Sequence, residues 1–224
     1  LLDLYGAARD ERVALETLAR DAREEEWWHR YRDLPEWFQV FLSLEDDACV
    51  ERLYDTHLVP GLFQIPSYAE AVIRAWRPTI PHREVQRRVD VRMKRQALLD
   101  KTEALELWTI IDESVLHRVV GSTEVMAEQL THLIEVANRP NVTLQVLPFS
   151  AGASPAMGRS FVVLEFPAAT DPIVYVEVIA GGLYHRSPDD VARHRLIYEH
   201  LQASALSEPA SVELIAQVLR NHSP

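Results

Sequence analysis

The side chains in this chain best suited to recognition chemistry are arginines. Between positions 83 and 95 lie Arg83, Arg87, Arg88, Arg92, Lys94 and Arg95, opposed only by Glu84 and Asp90. Arg88, Arg92 and Arg95 fall at i, i+4 and i+7, so on a helix they share one face. A row of planar guanidinium forks suits an anion pocket or a docking stripe for an acidic partner. A solvated face whose charges pair with nearby acids is the other reading. A second group is Asp112-Glu113, at the end of an apolar strand, where loops often line pockets. Neighbours on a strand point opposite ways, so these two make a poor acid/base couple, and Asp112 is equally suited to capping a short helix. A third group is the run 173–177, in which Tyr175 and Glu177 share one strand face and Val174 and Val176 the other. Glu177 then meets either solvent or a polar pocket. Gly181-Gly182 just beyond allow close backbone approach, as a turn or a ligand edge requires.

The patterns of common enzymes do not occur. The nine histidines are scattered, with no His-Glu-x-x-His, and His194 and His200 are six positions apart, on different helix faces. The stretch Ala151-Gly152-Ala153-Ser154-Pro155 fails as a nucleophile elbow, because Pro155 cannot continue into the required helix. No phosphate-cradling Gly-x-x-x-x-Gly-Lys loop exists, and seven glycines are few for a nucleotide site. The expectation is a binding protein, not an enzyme, without metal or cofactor.

The elements that must hold these groups can be traced along the chain. Residues 9–32 read as a helix, with Val13, Leu15, Leu18 and Ala22 forming its apolar stripe. Trp27, Trp28, Tyr31, Trp37, Phe38 and Phe41 mark a core layer or an assembly surface. Residues 50–54 suit a short strand or a helix end. Leu58-Val59-Pro60-Gly61-Leu62 is a turn. Ser67 with Glu70 forms a capping box that opens a helix closed by Pro78. One helix is expected over 82–100, a strand over 105–111, a short helix from Asp112 to His117, and a longer helix from Ser122. Val142, Leu144 and Val146 alternate with polar residues as a half-buried strand. Residues 161–166 and 173–179 form an antiparallel pair, and helices over 188–205 and 208–221 close the chain. Leu196, Leu201 and Leu206 carry the apolar side of the first closing helix. The fold class is α+β, with a small mixed or antiparallel sheet packed against several helices.

Composition sets the remaining bounds. The 224 residues are 47% hydrophobic and 25% charged, with one cysteine, Cys49, and no run of apolar residues long enough for a membrane span. A lone cysteine suits a reducing cytoplasm. The net charge of −11 speaks against broad contact with nucleic acid phosphates. The opening Leu1-Leu2-Asp3-Leu4-Tyr5 carries no methionine and no helix cap, and reads as the middle of a longer chain.

Several runs together resemble the uncharacterised carboxy-terminal domain of bacterial phage-repressor-like (XRE-type) helix-turn-helix regulators. They are 58–64 (LVPGLFQ) with 68–71 (YAEA), 92–96 (RMKRQ), 112–116 (DESVL), 140–149 (PNVTLQVLPF), 164–167 (LEFP) and 174–177 (VYVE). Phe63, Ile65-Pro66 and Arg159-Ser160 depart from the usual pattern. If the first of these line a pocket, it is bulkier and more apolar than in relatives. The resemblance implies a connecting helix over 1–24, leaving an amino-terminal helix-turn-helix domain, and an effector- or partner-binding and dimerisation domain over 25–224. It also implies a homodimer that reads operator DNA through that missing domain, with a small companion protein encoded nearby or an unknown small-molecule effector as further partners. An antitoxin-like domain that binds only a small cognate protein is the alternative, and an unrecognised enzyme, which would need Arg92, Asp112 and Glu177 to converge in one cleft, is a third. The residues expected to contact a ligand or partner are Tyr54, Pro60, Gly61, Phe63, Gln64, Arg88, Arg92, Arg95, Asp112, Glu113, Tyr175 and Glu177.

Overall fold

The structure is a computed structural model and describes residues 27–31, 34–167 and 170–222. The chain divides into two compact units, Leu1–Pro35 and Glu36–Pro224. In the first unit, residues Trp27–Arg30 form one turn of 3-10 helix, and the Trp27 ring meets Trp28 and Tyr31 edge-on, with centroids 5.4 and 6.1 Å away. The rest of the helix expected over 9–32, and the connecting segment 1–24, lie outside the described residues.

The second unit is α+β. Helix α1 (Glu36–Asp47) leads into β1 (Val50–Asp55), then α2 (Pro66–Trp76) and α3 (His82–Arg95) lead to β2 (Glu106–Asp112). A short α4 (Ser114–His117) and α5 (Thr123–Val136) lead to β3 (Val142–Leu147). Strands β4 (Phe161–Glu165), β5 (Ile173–Val178) and β6 (Gly181–His185) follow, then α6 (Pro188–Ser204) and α7 (Glu208–His222). The six strands form one mixed sheet in the order β3-β2-β1-β4-β5-β6. The first three are parallel, joined by helical crossovers, and β4, β5 and β6 extend the sheet antiparallel.

Strand register fixes two faces. Leu107, Glu51, Leu164 and Ile173 lie side by side across β2, β1, β4 and β5. The next row on that face is Thr109, Leu53, Val162, Tyr175 and Tyr184. The opposite face carries Trp108, Arg52, Val163, Val174 and His185. On the first face, Leu107, Ile111, Leu144 and Val146 pack against Tyr68, Met126, Leu130, Leu133, Ile215 and Val218 from α2, α5 and α7. Farther along it, Phe41 of α1 covers Val162, Leu164 and Tyr175. On the other face, Tyr54, Ile110, Val163 and Val174 pack beneath Val191, Tyr198 and Leu201 of α6. Burial of this apolar surface from both sides drives the fold.

Four local expectations are corrected. Ser67 does not cap α2. The helix begins at Pro66 with Ile65 as its cap, because a proline without an N–H suits the first turn. The Ser67 hydroxyl donates to Glu128 instead, and Glu70 pairs with Arg74. The helix expected over 82–100 ends as an α-helix at Arg95 and tightens to 3-10 geometry over Gln96–Asp100. Leu196 is more than half exposed, since the buried face of α6 runs through Val191, Tyr198 and Leu201. Gly181 and Gly182 open a sixth strand. A Cβ on Gly182 would lie 2.4 Å from Cε2 of Tyr175, so the close approach this glycine permits is to the chain's own tyrosine ring.

The two edges of the sheet differ. At β3, Val146 O accepts from Leu206 N at 2.9 Å and Val146 N donates to Ser211 Oγ at 2.9 Å, while Gln145 Nε2 reaches Leu206 O at 2.8 Å. The link between α6 and α7 thus seals that edge. Among the described residues no strand pairs with the outer side of β6. Also among the described residues, no helix is long and apolar enough to cross a membrane, and no group of three or more His, Cys, Asp or Glu could hold a metal ion.

Candidate functional site

The three stripe arginines of α3 have three different surroundings. Arg88 is held by Glu84 one turn back, Nη2 to Oε1 at 2.9 Å, and lies over the Trp76 ring. Arg95 is buried: its Nε and Nη2 form a fork on both carboxylate oxygens of Glu45 from α1, at 2.8 and 2.5 Å. The rings of Phe38 and Phe41 lie beside its guanidinium at 5.6 and 5.3 Å. Arg92, between them along the helix, donates through Nη1 to the neutral Gln64 Oε1 at 2.7 Å. Removal from water, followed by the like charge of Arg95, lowers its pKa to about 10.

The turn at 58–65 is built to meet these arginines. Pro60 O accepts from Phe63 N at 2.9 Å, closing one 3-10 turn that buries Leu62 and Phe63. Gln64 is fixed at both ends of its amide, since its Nε2 donates to Val59 O at 2.6 Å. Gln96 Nε2 donates to Gln64 O at 2.6 Å, and the buried Gln129 donates to Phe63 O at 2.7 Å while accepting from Ile65 N at 2.9 Å. A Cβ on Gly61 would stand 3.1 Å from Arg95 Nη1 and 3.8 Å from Arg92 Nε, so this glycine lets the backbone lie against both guanidiniums.

The floor is the first sheet face. Glu51 lies between Leu107 and Leu164, is 1% exposed, and its Oε2 has no hydrogen-bond partner. Burial raises its carboxyl well above the usual carboxylate range, Glu45 adds to the rise, and Arg95 opposes it. Tyr175 stacks on Phe41 with centroids 4.4 Å apart, and its buried hydroxyl is also without a partner. Burial pushes its pKa up, with Glu177 contributing. Glu177, two residues along, is open to solvent at its rim position, yet the protein around its carboxyl raises its pKa against the lowering pull of Arg92 and then Arg95. No hydrogen bond or ion pair joins Arg92 to Glu177, although each acts on the ionisation of the other.

The structure therefore gathers Gly61, Gln64, Arg92, Arg95, Tyr175 and Glu177, with Pro60 and Phe63 shaping the turn. It places the other expected residues elsewhere. Tyr54 is 1% exposed in the core of the opposite sheet face, against Phe161. Asp112 Oδ1 accepts from Ser114 N at 2.9 Å, and Glu113 Oε2 accepts from Phe149 N at 2.6 Å. Both carboxylates thus organise the turn after β2. Asp55, at the end of β1, does the same for His57, Leu58 and Ser160. Sequence reasoning missed Glu45, Glu51, Gln96 and Gln129. Only Glu51 left a signal, as the charged member of an otherwise inward-facing alternation with Leu53.

The arrangement offers opposite charges held apart over a floor with an unpartnered phenol and an unpartnered carboxyl. Such a set can bind polar groups of both signs. Two cavities lie away from it. One, of about 300 Å³, is lined by Leu147, Ala151, Ser154 and His200, and the other, of about 450 Å³, by Arg52, Trp108, Glu165 and Arg195.

Comparison with curated proteins finds no match. Residues 38–217 match the model of the family described as Domain of unknown function (DUF5753), a span from within α1 to within α7 that takes in all six strands and every residue of the charged seam. This chain belongs to that family.

Proposed function

We propose that this chain is the regulatory part of a cytoplasmic DNA-binding transcription regulator, which assembles as a homodimer and takes a small-molecule effector between Arg92 and Glu177. The observation that carries the effector reading is that Arg92 holds the neutral amide of Gln64, whereas its helix neighbours Arg88 and Arg95 each hold a carboxylate. A purely structural pair would close into a fork, as Arg95 and Glu45 do. Arg92 instead holds one neutral hydrogen bond and keeps further N–H donors, and the Tyr175 hydroxyl is a donor without an acceptor.

Support for the regulator reading comes from the runs that resemble XRE-type regulators. Two of them, 58–64 and 92–96, form the walls of the seam, and 174–177 forms its floor. The charge of −11 supports a reading in which operator contact belongs to a separate helix-turn-helix domain. Dimerisation through β6 is supported by the unequal edges of the sheet among the described residues. An open edge offers a row of N–H and C=O groups to a second copy, and Gly181–His185 carries no proline, lysine or glutamate to discourage pairing. A small companion protein is the alternative occupant of the seam, as an antitoxin-like domain would have.

Native mass spectrometry of the full-length protein, expressed with its genomic neighbour, tests the proposal. A dimer carrying a retained small molecule that Arg92→Ala abolishes is the expected result. A monomer with nothing bound overturns it, and a stoichiometric complex with the neighbour but no small molecule favours the companion-protein reading.

A further inference from the structure

On the sheet face opposite the charged seam, a groove of about 450 Å³ lies between the strands and α6. Its floor is a cross-strand pair, Arg52 of β1 beside Trp108 of β2, with the guanidinium carbon 5.5 Å from the indole centroid. Tyr198 ties the wall to the floor by donating its hydroxyl proton to Trp108 O at 2.8 Å. Arg52 is poorly served by its neighbours. Its Nε is 3.7 Å from Glu165 Oε1, an ion pair too long to be a hydrogen bond, and its buried Nη1 has no hydrogen-bond partner among the described residues. Arg195 of α6 reaches the same Glu165 oxygen at 2.8 Å. Two guanidiniums therefore converge on one carboxylate oxygen, and a buried charged donor is left without an acceptor, which is costly in a folded protein.

We propose that this groove is a binding site for a small organic monocarboxylate, seated on the free edge of the Arg52 guanidinium beside Trp108. Stacking on the indole fixes the guanidinium plane and leaves its N–H edge to meet a carboxylate in the matched planar geometry. The charge around the groove sets the ligand's charge. Arg52 and Arg195 are balanced by Glu165 and the rim residue Glu199, so a monoanion leaves less uncompensated negative charge in the groove than a phosphate dianion does. The volume falls in the range of small-molecule sites. This site shares no residue with the Arg92 seam, and its test stands whether or not that reading holds.

The test is titration of the ¹⁵N-labelled full chain with sodium benzoate and sodium acetate, with inorganic phosphate in parallel, following the indole N–H signal assigned by Trp108→Phe. The expected result is a saturable shift with a carboxylate, weakened by roughly tenfold or more in Arg52→Gln, as loss of one charged hydrogen bond implies. Phosphate at equal concentration should give no saturable shift. Absence of a saturable shift with both carboxylates, equal binding by phosphate, or unchanged affinity in Arg52→Gln overturns the proposal. Should Arg52→Gln fail to fold, Arg52→Lys keeps the charge but not the fork. It should also lose about tenfold, and wild-type affinity in that variant overturns the proposal equally.

Discussion

Arg95 and Glu45 form a two-bond fork across fifty residues of sequence, with the glutamate wholly enclosed and the arginine set beside the rings of Phe38 and Phe41. The pair pins α1 to α3 above the sheet. Burying two charges is expensive, and their attraction offsets that cost only while both are present. Glu45→Ala should therefore destabilise the protein by about 3–5 kcal/mol, the cost of stranding a buried guanidinium. Replacing both residues with leucine should cost much less than Glu45→Ala alone. Urea unfolding of the two variants measures the difference, and equal losses would show that packing, not charge, dominates this joint.

Glu51 next to this pair should make stability depend on pH. Its carboxyl is raised above 4.5 by burial and by Glu45, so the folded state holds a proton that the unfolded chain gives up. A raised carboxyl contributes no penalty below the unfolded value near 4.5, and its penalty grows as pH rises from there toward the folded value. Glu51→Gln removes that term. The variant should match the wild type near pH 4 and be more stable at pH 7 to 8, with the gap opening between. Melting temperatures across that range check the sign, and a gap that closes with rising pH would refute it.

The fold was legible where periodicity is local. Val142, Leu144 and Val146 alternate as a strand that is buried on those positions, and Tyr175 with Glu177 do share a face. The turn at Pro60-Gly61 was legible from residue type alone. What could not be read was partnership over distance. Glu45 looks like a surface residue in Leu-Glu-Asp-Asp until α3 brings Arg95 to it, 50 positions away. Arg52, Glu165 and Arg195 come from three elements whose adjacency only the strand order reveals. The stripe at 88, 92 and 95 was correctly placed on one helix, but spacing could not tell that Arg88 and Arg95 are already paired and Arg92 is not. Gly181-Gly182 hid β6, because glycine carries no strand signal and its use here is set by a tyrosine on the neighbouring strand.

Gly182 and Tyr175 make that last relation testable. A methyl group at position 182 would overlap the Tyr175 ring at 2.4 Å, so Gly182→Ala must displace the ring from its stack on Phe41. The expected loss is about 1–3 kcal/mol, as for other overpacked sites. Tyr175→Leu should be destabilising alone but should make Gly182→Ala nearly neutral in the double variant. A double-mutant cycle reads the coupling directly, and additive losses would mean the two positions do not share the space.

Gln129 supports the turn from beneath, accepting from Ile65 N and donating to Phe63 O while fully buried on α5. Gln129→Leu keeps the volume and leaves two buried backbone groups unsatisfied, each costing about 1–3 kcal/mol. The turn carries Gln64, so the change should also loosen the hold on Arg92. Unfolding measurements should show the stability loss, and hydrogen exchange should rise at Ile65, whose N–H loses its acceptor. Faster exchange spread evenly over α5 instead would locate the role of Gln129 in the helix.

The outer edge of β6, which pairs with no strand among the described residues, gives the proposed assembly its most direct test. Val178, Ile179 and Leu183 are exposed at this end of the sheet, with Ile179 95% exposed, whereas the β3 edge is closed by Leu206 and Ser211. Antiparallel pairing of two β6 strands would extend the sheet across a two-fold axis and cover the apolar tip in both copies. Leu183→Pro removes an N–H donor and adds a ring at an edge strand, where proline is tolerated by the fold but blocks further pairing. Light scattering over a range of concentrations should show a wild-type dimer and a Leu183→Pro monomer with unchanged far-ultraviolet circular dichroism. A dimer that survives in Leu183→Pro would place the interface away from β6, and loss of the circular dichroism signal would call for Leu183→Lys, which discourages edge pairing while leaving the N–H in place.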